Sequence, residues 1–223
     1  MTDAEIIEQT ISFVKETLME AEGGHDWFHI QRVFNNALHI AKTEKADVLV
    51  VSLGALLHDI ADAKFHNGDE TIGPRWATSF LQSLDVPKST IDQVVQIIQN
   101  ISFKNSLGEK KVPLFNSKEL QVVQDADRLD AIGAIGIARA FNYGGFKNRK
   151  LYDPAITPNP ELTKPQYKNS DAPTINHFYE KLLLLKDRMN TDTGKRLAQE
   201  RHQFMLDYLE QFYKEWDPLK PES

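Results

Sequence analysis

The sequence predicts an all-α fold, and three observations carry that prediction. Apolar residues recur at i, i+3 and i+4 spacing along most of the chain; no stretch alternates apolar and polar residues between hairpin turns; and the run from Val48 to Leu57 is apolar nearly all round. Residues 3–21 place Ile6, Ile7, Ile11, Phe13, Val14 and Leu18 on one face of a first helix, which Gly23-Gly24 stops. A second helix is expected over 27–43, with Ile30, Val33, Phe34, Ala37, Leu38 and Ala41 on its apolar face. Asp47 is placed to cap a third, whose interior VLVVSLGALLHDI has the composition of a helix at the buried centre of a domain. Further helices are expected over 69–83, 88–104, 117–141, 174–189 and 191–215, with Pro87 at the start of the fifth.

The chain has 223 residues, enough to bury roughly 70% of the surface its unfolded form exposes, so folding needs no disulfide or structural metal. Cysteine is absent, which removes disulfides, thiolate nucleophiles and Cys-type zinc sites, and suits a cytoplasmic protein. The acidic start MTDAEIIEQT is unlike a signal peptide, and the longest apolar run is half of the ~20 residues that cross a bilayer. The net charge of −6 excludes the broad basic surface that duplex nucleic acid requires, while small anionic ligands remain open to a local cluster of cations or a metal.

The whole chain reads as one domain with a long excursion. Between Gly144 and Thr174 lie five of the ten prolines (Pro154, Pro158, Pro160, Pro165 and Pro173), with Gly144-Gly145 at the entrance. A loop of this length is more often a lid or binding loop than a connector, and this one carries Lys147, Arg149 and Lys150. The helices of 175–215 are expected to return to the main body. In the last of them Phe204, Tyr208, Phe212, Tyr213 and Trp216 suit either the core or the seam of a homodimer.

Chemistry concentrates at three places. Leu56-Leu57-His58-Asp59 ends an apolar run on two ionisable residues, and such residues seldom lie there unless something compensates their burial. On a helix they point about 100° apart, close enough to offer one ion an imidazole nitrogen and a carboxylate oxygen, with Asp62 one turn on. His25 and His29 stand at the start of the second helix. The third place is Val122-Val123-Gln124-Asp125-Ala126-Asp127-Arg128-Leu129-Asp130, three aspartates behind an apolar pair. Asp125 is also accounted for by an N-terminal helical turn whose acids suit the dipole.

Taken in order, GHDWFHIQRV, LLHDIAD and QDADRLDAIGAIGIARAF resemble the HD superfamily of metal-dependent phosphohydrolases, in particular its YedJ/YpgQ-like branch, over about residues 23–153. The resemblance implies that His29, His58, Asp59 and Asp127 hold the metal, Asp127 being preferred to Asp125 because it precedes Arg-Leu. It also places Asp62 where relatives often carry an acid, here assigned to orient the attacking water or carry its proton. Lys64, Arg128, Lys147, Arg149 and Lys150 are the cations assigned to phosphate oxygens, and His25 is a further substrate contact or a partner of the ligands.

Two imidazoles and two carboxylates suit one divalent ion, Mn²⁺ first, with Co²⁺, Fe²⁺, Ni²⁺, Zn²⁺ and Mg²⁺ as alternatives. The remaining histidines, His39, His66, His177 and His202, form no obvious second pair near the doublet, which argues for one metal and against a two-metal cyclic-dinucleotide phosphodiesterase. The expected reaction is hydrolysis of a nucleotide or related phosphate, with nucleoside triphosphate pyrophosphohydrolysis leading and 5′-nucleotidase or alarmone hydrolase as alternatives. A non-catalytic regulatory domain and a di-iron oxygenase are the readings from other classes. No P-loop is present, so ATP as an energy source is not indicated.

Overall fold

The computed structural model describes residues 1–19, 26–61, 69–101, 115–161 and 170–219. Among these are nine α-helices, one 3₁₀ helix and no strand: α1 (Asp3–Thr17), α2 (Trp27–Glu44), α3 (Val48–Leu57), α4 (Ile72–Ser83), α5 (Lys88–Asn100), α6 (Lys118–Asp130), α7 (Gly133–Phe146), α8 (Thr174–Glu180), the 3₁₀ helix Leu182–Arg188, and α9 (Asp192–Trp216). Among the described residues no helix is long and apolar enough to cross a membrane. The chain divides into two compact units, residues 1–127 with 190–194 and residues 128–189 with 195–223.

The first unit is built around α3. Its residues Val50 to Leu57 are all buried, and α1, α2 and α5 pack against it. Burying Leu53, Leu56 and Leu57 completely contributes about 1.5–3 kcal/mol each before chain entropy is counted. Asp47 caps the helix as its position predicts, accepting a hydrogen bond from the Val50 amide at 3.0 Å. The preceding helix, α2, is capped by Asp26, whose carboxylate accepts from the His29 amide at 2.9 Å, and it closes on Lys45 in the left-handed region, whose N–H reaches the Ala41 carbonyl.

The second unit corrects two sequence expectations. The single helix expected over 117–141 is two, because the chain turns extended at Ile132 and left-handed at Gly133, with φ of 75°. The carbonyls freed at the end of α6 find side-chain donors: Arg201 donates to Leu129, and Arg139 donates to the Asp130 carbonyl at 3.2 Å and to its buried carboxylate at 2.6 Å. Likewise the helix expected over 174–189 changes to 3₁₀ geometry after Lys181.

Gly144 and Gly145 do not open the long loop; α7 runs through both to Phe146. Gly144 is needed there because Thr174 lies where a side chain would stand. Beyond α7 the base of the excursion is pinned, with the Thr174 amide on the Lys150 carbonyl at 2.9 Å and the Ile175 amide on Leu151 at 3.0 Å. The aromatic residues of α9 divide. Tyr208, Phe212, Tyr213 and Trp216 join a cluster with Phe141, Tyr152 and Phe178, whereas Phe204 is half exposed.

Two outcomes are expected. Gly133→Ala forces an L side chain into positive φ against Arg201 and should cost about 1–2 kcal/mol in urea denaturation; an unchanged midpoint would contradict the turn described. His177 is held down to about 4, first by burial and then by Lys181 and Arg149, so the folded protein keeps it neutral while the unfolded chain protonates it below about 6.5. The unfolded state then binds the extra proton, and stability should fall between pH 6.5 and 4 by up to about 3 kcal/mol. His177→Asn should flatten that part of the profile.

Candidate metal centre

Three helices of the first unit bring the predicted residues together. His29 lies in the first turn of α2, on the face that buries Ile30, Val33 and Ala37. His58 and Asp59 follow α3 directly, where the helix runs out of partners for its last carbonyls. The His58 imidazole answers one of these: its Nδ1 donates to the Ala55 carbonyl at 2.8 Å. A carbonyl can only accept, so Nδ1 carries a proton, and in the neutral imidazole Nε2 then carries the lone pair. The third helix is α6, whose Val122, Val123 and Ala126 are buried while Asp127 emerges at its far edge.

The imidazoles of His29 and His58 meet edge to face, 5.5 Å between centroids. Asp127 Oδ1 lies 3.6 Å from His29 Nε2 and 3.9 Å from His58 Nε2. His29, His58 and Asp59 each offer one ligand atom, and these atoms all lie within 4.8 Å of one another. The imidazoles are almost fully buried, with side chains 3% and 4% exposed, whereas Asp127 is 40% exposed, so the cluster is apolar behind and open to solvent at the carboxylate.

This donor set fits a cation. Separations of 3.6 and 3.9 Å exceed hydrogen-bond length, yet two donors each ~2.1 Å from one ion stand up to about 4.2 Å apart. In its neutral form His58 faces Asp127 with a lone pair, an arrangement of acceptor against acceptor that a shared positive charge makes favourable.

Asp125, weighed against Asp127 in the sequence, has a different task. It lies mid-helix rather than in an N-terminal turn, is completely buried, and accepts hydrogen bonds from the Asn190 amide at 2.9 and 3.0 Å and from the Thr191 amide and hydroxyl at 2.7 and 2.8 Å. Its partners lie 65 and 66 residues away, and nothing in the local pattern announces them.

Asp62, Lys64, His25 and His66 lie outside the described residues. The predicted cations of the second unit have internal partners. Arg128 donates to the Arg188 carbonyl at 2.8 Å and Arg149 to Ser170 at 2.6 Å; Lys150 pairs with Asp153 at 2.8 Å, and Lys147 lies over the Tyr143 and Phe146 rings.

Known proteins agree with this architecture. The sequence profile of the HD domain matches residues 27–132. The chain is 39% identical to the uncharacterized protein YpgQ of Bacillus subtilis, over the full length of both. An HD-superfamily hydrolase from Bacillus thuringiensis has a similar crystal structure, with a TM-score of 0.78 and 42% identity over 97% of this chain and 99% of that one. The crystal structure of B. subtilis YpgQ in complex with ADP gives 0.73 and 38%, covering 96% of this chain and 97% of the other. With the HD motif standing at the end of α3 and a full-length relative at this identity, the chain belongs to the HD-domain family of metal-dependent phosphohydrolases.

Proposed function

We propose that this enzyme hydrolyses nucleotides, with His29, His58, Asp59 and Asp127 holding one divalent ion, Mn²⁺ before the other first-row metals and Mg²⁺. The observation that carries the reading is the approach of two buried imidazole Nε2 atoms to one carboxylate oxygen at separations that suit a shared ion and not a hydrogen bond. A nucleotide is favoured because the similar B. subtilis YpgQ has been crystallised with ADP. Within that class, conversion of nucleoside triphosphate to monophosphate and pyrophosphate is assigned first.

When bound, a divalent ion supplies Lewis acidity, acidifying water and drawing charge from phosphoryl oxygens. The chain's residues supply the rest. The Ala55 carbonyl fixes the tautomer of His58, so its Nε2 needs no proton rearrangement before it can act as a ligand. The buried imidazoles keep water from the inner side, and the exposed Asp127 marks the side from which substrate enters. Asp62 is assigned to orient the attacking water and accept its proton. Lys64, Arg128, Lys147, Arg149, Lys150 and His25 are assigned to the phosphate chain.

The test is phosphate and pyrophosphate release from a panel of nucleotides with Mn²⁺ added. EDTA should abolish turnover and Mn²⁺ restore it, and His58→Ala and Asp127→Ala should each lower kcat/KM by about 10²–10³-fold or more. Pyrophosphate as the product identifies pyrophosphohydrolysis; inorganic phosphate alone redirects the reading to a nucleotidase. Wild-type turnover in either alanine variant would dismiss the site. Asp62→Asn should lower kcat while leaving Mn²⁺ affinity intact; a loss of affinity instead would make Asp62 a ligand.

A further inference from the structure

We infer that Asp125 is a positioning residue for the metal ligand Asp127, and that the segment Asn190–Gly194 is the device through which it acts. The inference rests on the metal-site reading above and goes beyond it, because neither Asp125 nor this segment belongs to the ligand set.

The argument is geometric. Residues two apart on a helix point roughly 200° from each other, so Asp125 and Asp127 leave α6 on nearly opposite sides. Asp127 faces the imidazoles, and Asp125 faces the segment that opens α9. One carboxylate there takes both backbone amides and the Thr191 hydroxyl, and the Asn190 side-chain amide as well at 3.0 Å. The enclosure is close enough that Gly194 is obligatory: a Cβ at that position would stand 2.3 Å from Asp125 Oδ2. Thr191 Oγ1 in turn accepts from the Gly194 amide at 2.9 Å, so the turn and the carboxylate fix each other.

Four donors on one buried carboxylate set the rotation of α6 about its own axis. A carboxylate carried about 6 Å from a helix axis moves by about 2 Å when the helix turns roughly 20°, which is the length of a whole coordinate bond. The same segment also grips the helix that carries His29. The Thr193 amide donates to Glu44 Oε1, near the end of α2, at 2.9 Å, and Lys118 of α6 donates to the Glu44 carbonyl, also at 2.9 Å. Residues 190–194 therefore tie together the two helices that present Asp127 and His29.

Mn²⁺ affinity of the full-length protein, read by titration with detection of free Mn²⁺ by electron paramagnetic resonance, tests this without turnover. Thr191→Val and Asp125→Asn should each weaken binding by about 10–100-fold while the far-ultraviolet spectrum stays helical. Thr191→Ser keeps the hydroxyl and should bind like wild type. Val14→Ala, buried in α1 of the same unit and outside the hydrogen bonds of this contact, serves as the stability control: it should lower Tm and leave Mn²⁺ affinity unchanged. Wild-type affinity in Thr191→Val and Asp125→Asn would overturn the inference, as would an equal loss in Val14→Ala. His58→Ala separates the two levels. Binding lost there but kept in Thr191→Val and Asp125→Asn leaves the metal site standing and removes only the positioning role; binding kept in His58→Ala removes both.

Discussion

A helix buried on every side that ends on two ionisable residues is the constraint from which the site follows. Because α3 is surrounded by α1, α2 and α5, its C-terminal end lies within the first unit and its last carbonyls need partners there. His58 supplies one partner from its own ring, and in doing so turns its other nitrogen toward His29 and Asp127. The requirement to satisfy a helix end and the requirement to aim a nitrogen into the cluster are met by the same rotamer. A leucine there would leave the Ala55 carbonyl without that donor and the cluster without one of its two imidazoles.

The electrostatics of the cluster point the same way. Nearly buried imidazoles beside a carboxylate are costly unless a proton or a cation lies among them. The protonated Nδ1 of His58 is already committed to a carbonyl, so the positive charge the cluster calls for would lie among Nε2 of both rings and the carboxylates. This distinguishes the arrangement from a structural ion pair such as Arg139–Asp130, where opposite charges meet at 2.6 Å and no third party is needed.

How far the sequence revealed this depended on whether the relevant contact was local. The apolar circumference of α3, the Asp47 cap and the HD step at the helix end are written within the thirteen residues Asp47 to Asp59, and each took the expected place. Periodicity alone could not find the break after α6, because Ala131 and Ile132 continue a helical pattern while the positive-φ turn at Gly133 packs against Arg201, far along the chain. The opposite error occurred at Gly144-Gly145. The pair looks like a stop signal, yet α7 continues through it, and the close approach of Thr174 accounts for the glycine at 144. Asp125 was the hardest. As one of three similar acids its role was decided by donors 65 residues away.

That long separation has an energetic consequence when joined to the positioning role of Asp125. If closing Asn190–Gly194 over Asp125 sets Asp127, the free energy of that closure and the free energy of metal binding are linked, and linkage is reciprocal. A bound ion that draws Asp127 toward the imidazoles must favour the closed segment by the same factor by which the segment favours the ion. Metal occupancy would then act on the order of residues 190–194, and through Glu44 on α2, so that ligand geometry and the integrity of the first unit rise and fall together.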